Sequence, residues 1–175
     1  MAIIKTVKTE DATGLLAEIY DGFKKSIGIV PNAFVLRSSS PDQVAHQAKS
    51  LQYYFNHKTL SFNLLAFIRL LVSEDQQCEY CINMNTGMLI QAGVSAEDIA
   101  AAKKNPENIP LEEKEKELVK FVLKVVQNAH SVQAKDVEKL RTLGWDDGDI
   151  IDATIHGTSQ VSSDMLFNAF KIDAD

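Results

Sequence analysis

The two cysteines of the chain, Cys78 and Cys81, fall in Ser73-Glu74-Asp75-Gln76-Gln77-Cys78-Glu79-Tyr80-Cys81-Ile82-Asn83-Met84-Asn85, where an apolar helical run ends and a second helix is expected to start. Unpaired backbone N–H groups at a helix start stabilise a thiolate and lower its pKa, and Cys-x-x-Cys spacing allows a short-range disulfide. The spacing therefore predicts thiol–disulfide redox chemistry. Two alternatives stay open. Free cysteine is often simply core, and a structural zinc site needs about four ligands. No second Cys-x-x-Cys and no His-x-x-x-His follows. No metal or other cofactor is expected.

Helical spacing puts positions 78, 81 and 85 on one face. Cys78, nearest the helix start, is the attacking thiolate on dipole grounds. Asn85, one turn beyond Cys81, cannot take a proton in the working range. Other titratable groups are candidates for a proton relay. Glu79 is adjacent, but a carboxylate beside a thiol raises its pKa and helps only as an acceptor. His156 follows Asp152 by one turn on the last expected helix, an arrangement able to hold one imidazole tautomer. His46, His57 and His130 have weaker cases, two of them lying near helix ends. The Tyr80 phenol titrates too high to be a base and reads as packing or a pocket wall.

The flanks add a resemblance. Phe62 to Ser73, the Cys-Glu-Tyr-Cys segment and Gly87-Met88-Leu89, with Gly28-Ile29-Val30-Pro31-Asn32-Ala33-Phe34 upstream and Leu143-Gly144-Trp145-Asp146 downstream, resemble the carboxymuconolactone decarboxylase and alkyl hydroperoxidase D superfamily, in its peroxidase-related branch. That branch's signature reads Glu, eleven residues, Cys-x-x-Cys, three residues, His. Here Ala66 stands at the Glu position and Asn85 at the His position, so of the catalytic set only the cysteines carry over. The resemblance implies an all-α, single-domain helical bundle over residues 1–175 and a thiol-dependent peroxidase or thiol–disulfide oxidoreductase. It implies Cys81 as the cysteine that peroxide oxidises and Cys78 as the one that resolves it. It also implies a hydroperoxide or disulfide substrate, a dithiol electron donor and a homo-oligomer, trimeric or hexameric. A redox-sensing or scaffold member of the same fold, without turnover, is the alternative. Lactone decarboxylation fits least, because that branch does not depend on the Cys-x-x-Cys.

Composition agrees with a single helical domain. The chain has 175 residues, 45% of them apolar, with 8 Gly and 4 Pro, enough for one sizeable core. A net charge of −6 with scattered Lys and Arg argues against nucleic acid or an anionic membrane as partner. Met1 to Thr6 lacks the apolar core of a secretory signal, so a cytoplasmic location is expected, where a lone Cys pair would be transient and catalytic. The longest apolar stretch, Phe62 to Val72, is interrupted by Asn63 and Arg69 and falls short of the roughly 20 residues that span a bilayer.

The elements that must position the cysteines follow in order. Residues 10–26 read as a helix with Leu15, Leu16, Ile19 and Phe23 on one face, ended by Gly28. Ser40-Pro41 opens a second, through about His57, with Val44, Leu51, Tyr54 and Phe55 expected inward. Residues 60–74 are apolar almost all round, the mark of the most buried helix. The Cys-x-x-Cys helix runs to about Ala92, Ser95 caps a short one, and Asn105 to Pro110 forms a loop. Residues 111–129 are amphipathic, with Leu118, Phe121, Val122, Val125 and Val126 as the apolar stripe. A short helix from Ala134 to Leu143 precedes the last, which Asp146 caps and which carries Ile150, Ile151, Ile155, Val161, Met165, Leu166 and Phe170.

Overall fold

The computed structural model describes residues 2–175; Met1, where the expected domain begins, lies outside them. Nine α-helices occur in the described residues: α1 Gly14–Ile27, α2 Asn32–Val35, α3 Pro41–Phe55, α4 Phe62–Asp75, α5 Glu79–Gln91, α6 Ala96–Lys104, α7 Glu113–Asn128, α8 Ala134–Thr142 and α9 Asp147–Phe170. No strand occurs among them, as the all-α expectation requires. Among the described residues no helix is long and apolar enough to cross a membrane.

The helices gather into two compact units. One comprises the described residues through His57 together with Leu166–Asp175. In it α1 buries Leu16 and Tyr20, and Gly28, at φ +82, ends the helix in a left-handed turn that only glycine adopts without strain. Two expected core positions are on the outside: Leu15 is 48% and Phe55 61% exposed. Leu15 sits one position before the buried Leu16 and so turns to solvent, and Phe55 is the last residue of α3, far along the helix from its buried Val44.

The other unit, Lys58–Met165, holds the cysteines. Its centre is α4, in which Leu64, Leu65, Ala66, Phe67, Ile68, Leu70, Leu71, Val72 and Ser73 are all buried. An apolar surface on every side lets α4 pack against both α5 and α7. Ser61 caps its start by accepting a hydrogen bond from the Leu64 amide. α9 passes so near that a methyl group added at Gly157 would lie 2.3 Å from Val122 Cγ1 and 3.3 Å from Ile68 Cγ2. Asp146 caps α9 as expected, its Oδ1 accepting from the Asp149 amide at 2.7 Å. Asn105 to Pro110 contains a short 3-10 turn, Pro106–Asn108. On α9, Ile150 is buried as expected, whereas Ile151, Ile155 and Met165 are exposed rather than core, because the inward face continues from Ile150 through Ala153, Gly157, Gln160 and Asp164.

Candidate active site

The turn between α4 and α5 places Cys78. Past the C-cap residue Gln76, Gln77 takes the left-handed conformation at φ 52. Its amide donates to Glu74 O, and the Cys78 amide donates to Ser73 O, both at 3.1 Å. This pair of bonds is a Schellman ending, made here without the usual glycine. It delivers Cys78 as the N-cap residue of α5 and Cys81 one turn in.

Both cysteines are free thiols and both are sealed, at 1% and 0% exposure. Their sulfurs lie 3.5 Å apart. Covalent S–S contact at about 2.05 Å needs only a modest local adjustment from there. A third group completes the cluster: a carboxylate oxygen of Asp164 and the two sulfurs all lie within 4.8 Å of one another. Asp164 is fully buried on α9, where Ser73 Oγ donates to its oxygens at 3.0 and 3.1 Å and Gln160 Nε2 donates at 2.8 Å. Gln160 also donates to Ser73 Oγ at 3.2 Å.

This arrangement splits the two thiols. The Cys81 S–H donating toward the Cys78 sulfur lowers the Cys78 pKa, against the opposing effects of burial and of Asp164. The Cys81 backbone amide helps further, though the contact is too loose to be a cap hydrogen bond. Cys81 moves the other way: its interaction with the Cys78 sulfur, then burial, then the Asp164 charge all raise it. The thiolate is thus favoured on Cys78, in the same direction as the helix-start argument and opposite to the assignment the resemblance implies. Burial pushes the Asp164 carboxyl up, and hydrogen bonds from Cys81, Gln160, Ser73 and Cys78 restrain it. A carboxyl that burial holds above its usual range, in contact with two thiols, is placed to accept a proton and return it.

The sequence-derived relay candidates sit elsewhere. Glu79 is exposed and outside the cluster. Asn85 is fully buried, with its amide fixed at both ends: Nδ2 donates to Cys81 O at 2.8 Å, and Oδ1 accepts from Arg69 Nε at 2.7 Å. His156 is half-buried and meets Arg69, whose Nη1 lies 3.0 Å from Nε2. A guanidinium can only donate, so Nε2 is the accepting nitrogen and is occupied by Arg69 rather than turned to a thiol. Asp164 and Arg69 are the site residues that sequence reasoning passed over. Cys78, Cys81 and Asp164 are also the one set of three potential metal ligands among the described residues, one fewer than a structural zinc site uses.

No protein-family model matches the sequence, and no curated protein matches it. Solved structures do match. A peroxidase-related, uncharacterized protein from Silicibacter sp. TM1040 superposes with a TM-score of 0.83, covering 100% of this chain and 95% of its own, at 19% identity. An alkylhydroperoxidase AhpD core, an uncharacterized peroxidase-related protein from Ralstonia eutropha JMP134, gives 0.78 over 98% and 94% at 19% identity. The chain has the AhpD-like fold. A protein of unknown function from Agrobacterium tumefaciens, named as an AhpD candidate in antioxidant defence, shares this AhpD-like architecture at TM-score 0.68, over 79% of this chain and 94% of its own, again at 19% identity. At that identity the AhpD-like likeness is one of fold. The chemistry rests on the residues of this chain.

Proposed function

We propose that the chain is a thiol-dependent redox protein in which Cys78 and Cys81 cycle between dithiol and disulfide, reducing a hydroperoxide or a disulfide with electrons from a dithiol donor. The observation behind it is the buried trio: two free sulfurs 3.5 Å apart with the Asp164 carboxylate within 4.8 Å of both. With a hydroperoxide, Asp164 takes the Cys78 proton and the thiolate attacks the O–O bond. An S–O bond forms, the O–O bond breaks, and the leaving alkoxide recovers the proton from Asp164 as an alcohol. Cys81 then gives its proton to Asp164 and attacks the Cys78 sulfenic sulfur. The S–S bond forms, the S–O bond breaks, and hydroxide leaves as water with that proton. A dithiol donor returns the pair to thiols by exchange, itself becoming the disulfide. Two electrons pass per cycle, and Asp164 ends as it began.

Sealing of both sulfurs supports a second reading, a redox sensor that oxidises without turnover. Thiol trapping and mass spectrometry before and after mild peroxide, alongside hydroperoxide consumption with dithiothreitol, separate the two. Loss of both alkylation sites with sustained consumption is the expected result. Loss without turnover favours the sensor, and full alkylation of both cysteines after peroxide overturns both readings.

A further inference from the structure

Arg69 is the one charged residue in the interior of α4, between the buried Ile68 and Leu70. Its guanidinium donates to Asn85 Oδ1 at 2.7 Å, approaches His156 Nε2 at 3.0 Å and reaches Met88 Sδ at 3.7 Å. All three partners are neutral acceptors, and no carboxylate of the described residues pairs with it. Dense packing around the guanidinium pushes its pKa down to about 10, an effect that the Cys81 sulfur partly opposes. Even so, the group stays a cation at neutral pH. A cation held in the protein without a counter-charge is costly unless something anionic joins it.

The location matters as much as the charge. Arg69, Met88 and His156 keep part of their surface accessible, whereas the cysteines are sealed. Asn85 ties the two layers together through its bonds to Arg69 and to the Cys81 carbonyl. Arg69 is therefore the partly accessible residue that is linked, through Asn85, to the backbone of the sealed Cys81. Of its five N–H bonds three are engaged, one of them only by a thioether, and a planar carboxylate takes two. A single guanidinium with an apolar thioether at its side suits one carboxylate better than a phosphate dianion, which calls for more positive charge.

We propose that Arg69, oriented by Asn85 and His156, binds a carboxylate group of the substrate, so that the molecules reduced at Cys78 and Cys81 are carboxylate-bearing hydroperoxides or disulfides. Reduction of the bound molecule rests on the thiol-redox function proposed above, whereas the carboxylate site itself does not. Two measurements keep them apart. Calorimetric titration with hexanoate, a carboxylate that cannot be reduced, is expected to show binding to the wild-type protein. Arg69→Met should weaken it by about tenfold or more, the factor that one charge-assisted hydrogen bond supplies, and Arg69→Lys should weaken it less. Turnover is compared on a fatty-acid hydroperoxide and its methyl ester, which differ only in the carboxylate charge. The acid-to-ester ratio of kcat/KM should be about ten or more in the wild type and fall toward one in Arg69→Met. Absence of hexanoate binding to the wild type, or equal binding by Arg69→Met, overturns the site, as does an acid-to-ester ratio that the substitution leaves unchanged. Should Arg69→Met not fold, Arg69→Lys carries the same comparison. If neither hydroperoxide is consumed, the redox reading fails and the hexanoate titration alone decides the carboxylate site.

Discussion

Replacing Asp164 by Asn removes one negative charge from a sealed cluster and changes little else, because Asn keeps an oxygen for the Ser73 and Gln160 donors. At 4.8 Å, the outer limit of the cluster, a unit charge acts on a thiolate with about 3 kcal/mol at an effective dielectric of about 20, or roughly 2 pK units. The apparent thiol pKa values of the pair should therefore fall by on the order of 1–2 units in Asp164→Asn, read by thiolate ultraviolet absorbance against pH. Disulfide formation after peroxide should nevertheless slow by about a hundredfold, the low end for losing a positioned acid–base group. A merely structural residue would not lower the thiol pKa and slow the reaction together. Stability supplies an independent check. Burial raises the folded-state pKa of Asp164, so the stabilisation from its protonated form is fully present below the unfolded value near 3.9 and is lost as pH rises through the folded value. Asn never ionises and escapes that loss. The melting temperature of the variant, relative to wild type, should rise as pH moves from acid up through that window. Unchanged thiol titration together with unchanged disulfide kinetics would refute the role given to Asp164.

Three further outcomes follow from the packing around the site. Gly157→Ala puts a methyl group 2.3 Å from Val122 Cγ1, and since valine is stiff at χ1 the clash should cost about 2 kcal/mol in urea denaturation; a cost below a few tenths would show that α9 is free to shift. Gln77→Gly relieves a left-handed non-glycine residue at φ 52 and should raise stability by up to about 1 kcal/mol. A loss of similar size would mean that the Gln77 side chain, not its backbone, holds the turn. The exposed Ile151, Ile155 and Met165 on α9, with Ile90 on α5, support the proposed homo-oligomer, and multi-angle light scattering should report a trimer or hexamer; a mass near the 19.4 kDa of one chain would exclude it.

The helices were legible because period and punctuation agree. Ser95 and Asp146 cap the helices they were expected to cap, and the run that is apolar on all sides is the buried centre of its unit. Faces were read less well. On α9 the isoleucines suggested an inward side, but only Ile150 takes it; around Gly157, which admits Val122 and Ile68 closely, small and polar residues line the interior and Ile151 and Ile155 turn outward. Hydrophobicity alone cannot reveal this, because the choice is made by how near two backbones come.

The same reason hid half of the candidate site. Cys78 and Cys81 announce themselves by spacing, whereas Asp164 is distant in sequence and reaches them only because the polar positions 160 and 164 share the inward face of α9 with Ala153 and Gly157. Its signal was present as a carboxylate in phase with the smallest residues of the helix, seven residues from Gly157 and eleven from Ala153. Arg69 left a plainer trace, the single charge within an otherwise apolar run. The absence of the relay Glu and His at Ala66 and Asn85 then takes on a different meaning. Asn85 engages a cation, and Ala66 stands three residues before it on the same helix, where a glutamate would meet Arg69 as an i, i+3 partner. Alanine there leaves the guanidinium without a carboxylate of its own. The two departures from the peroxidase-related signature thus meet at Arg69, which Asn85 engages and Ala66 precedes by one turn, and in the proposed cycle the proton passes through Asp164 on α9 instead.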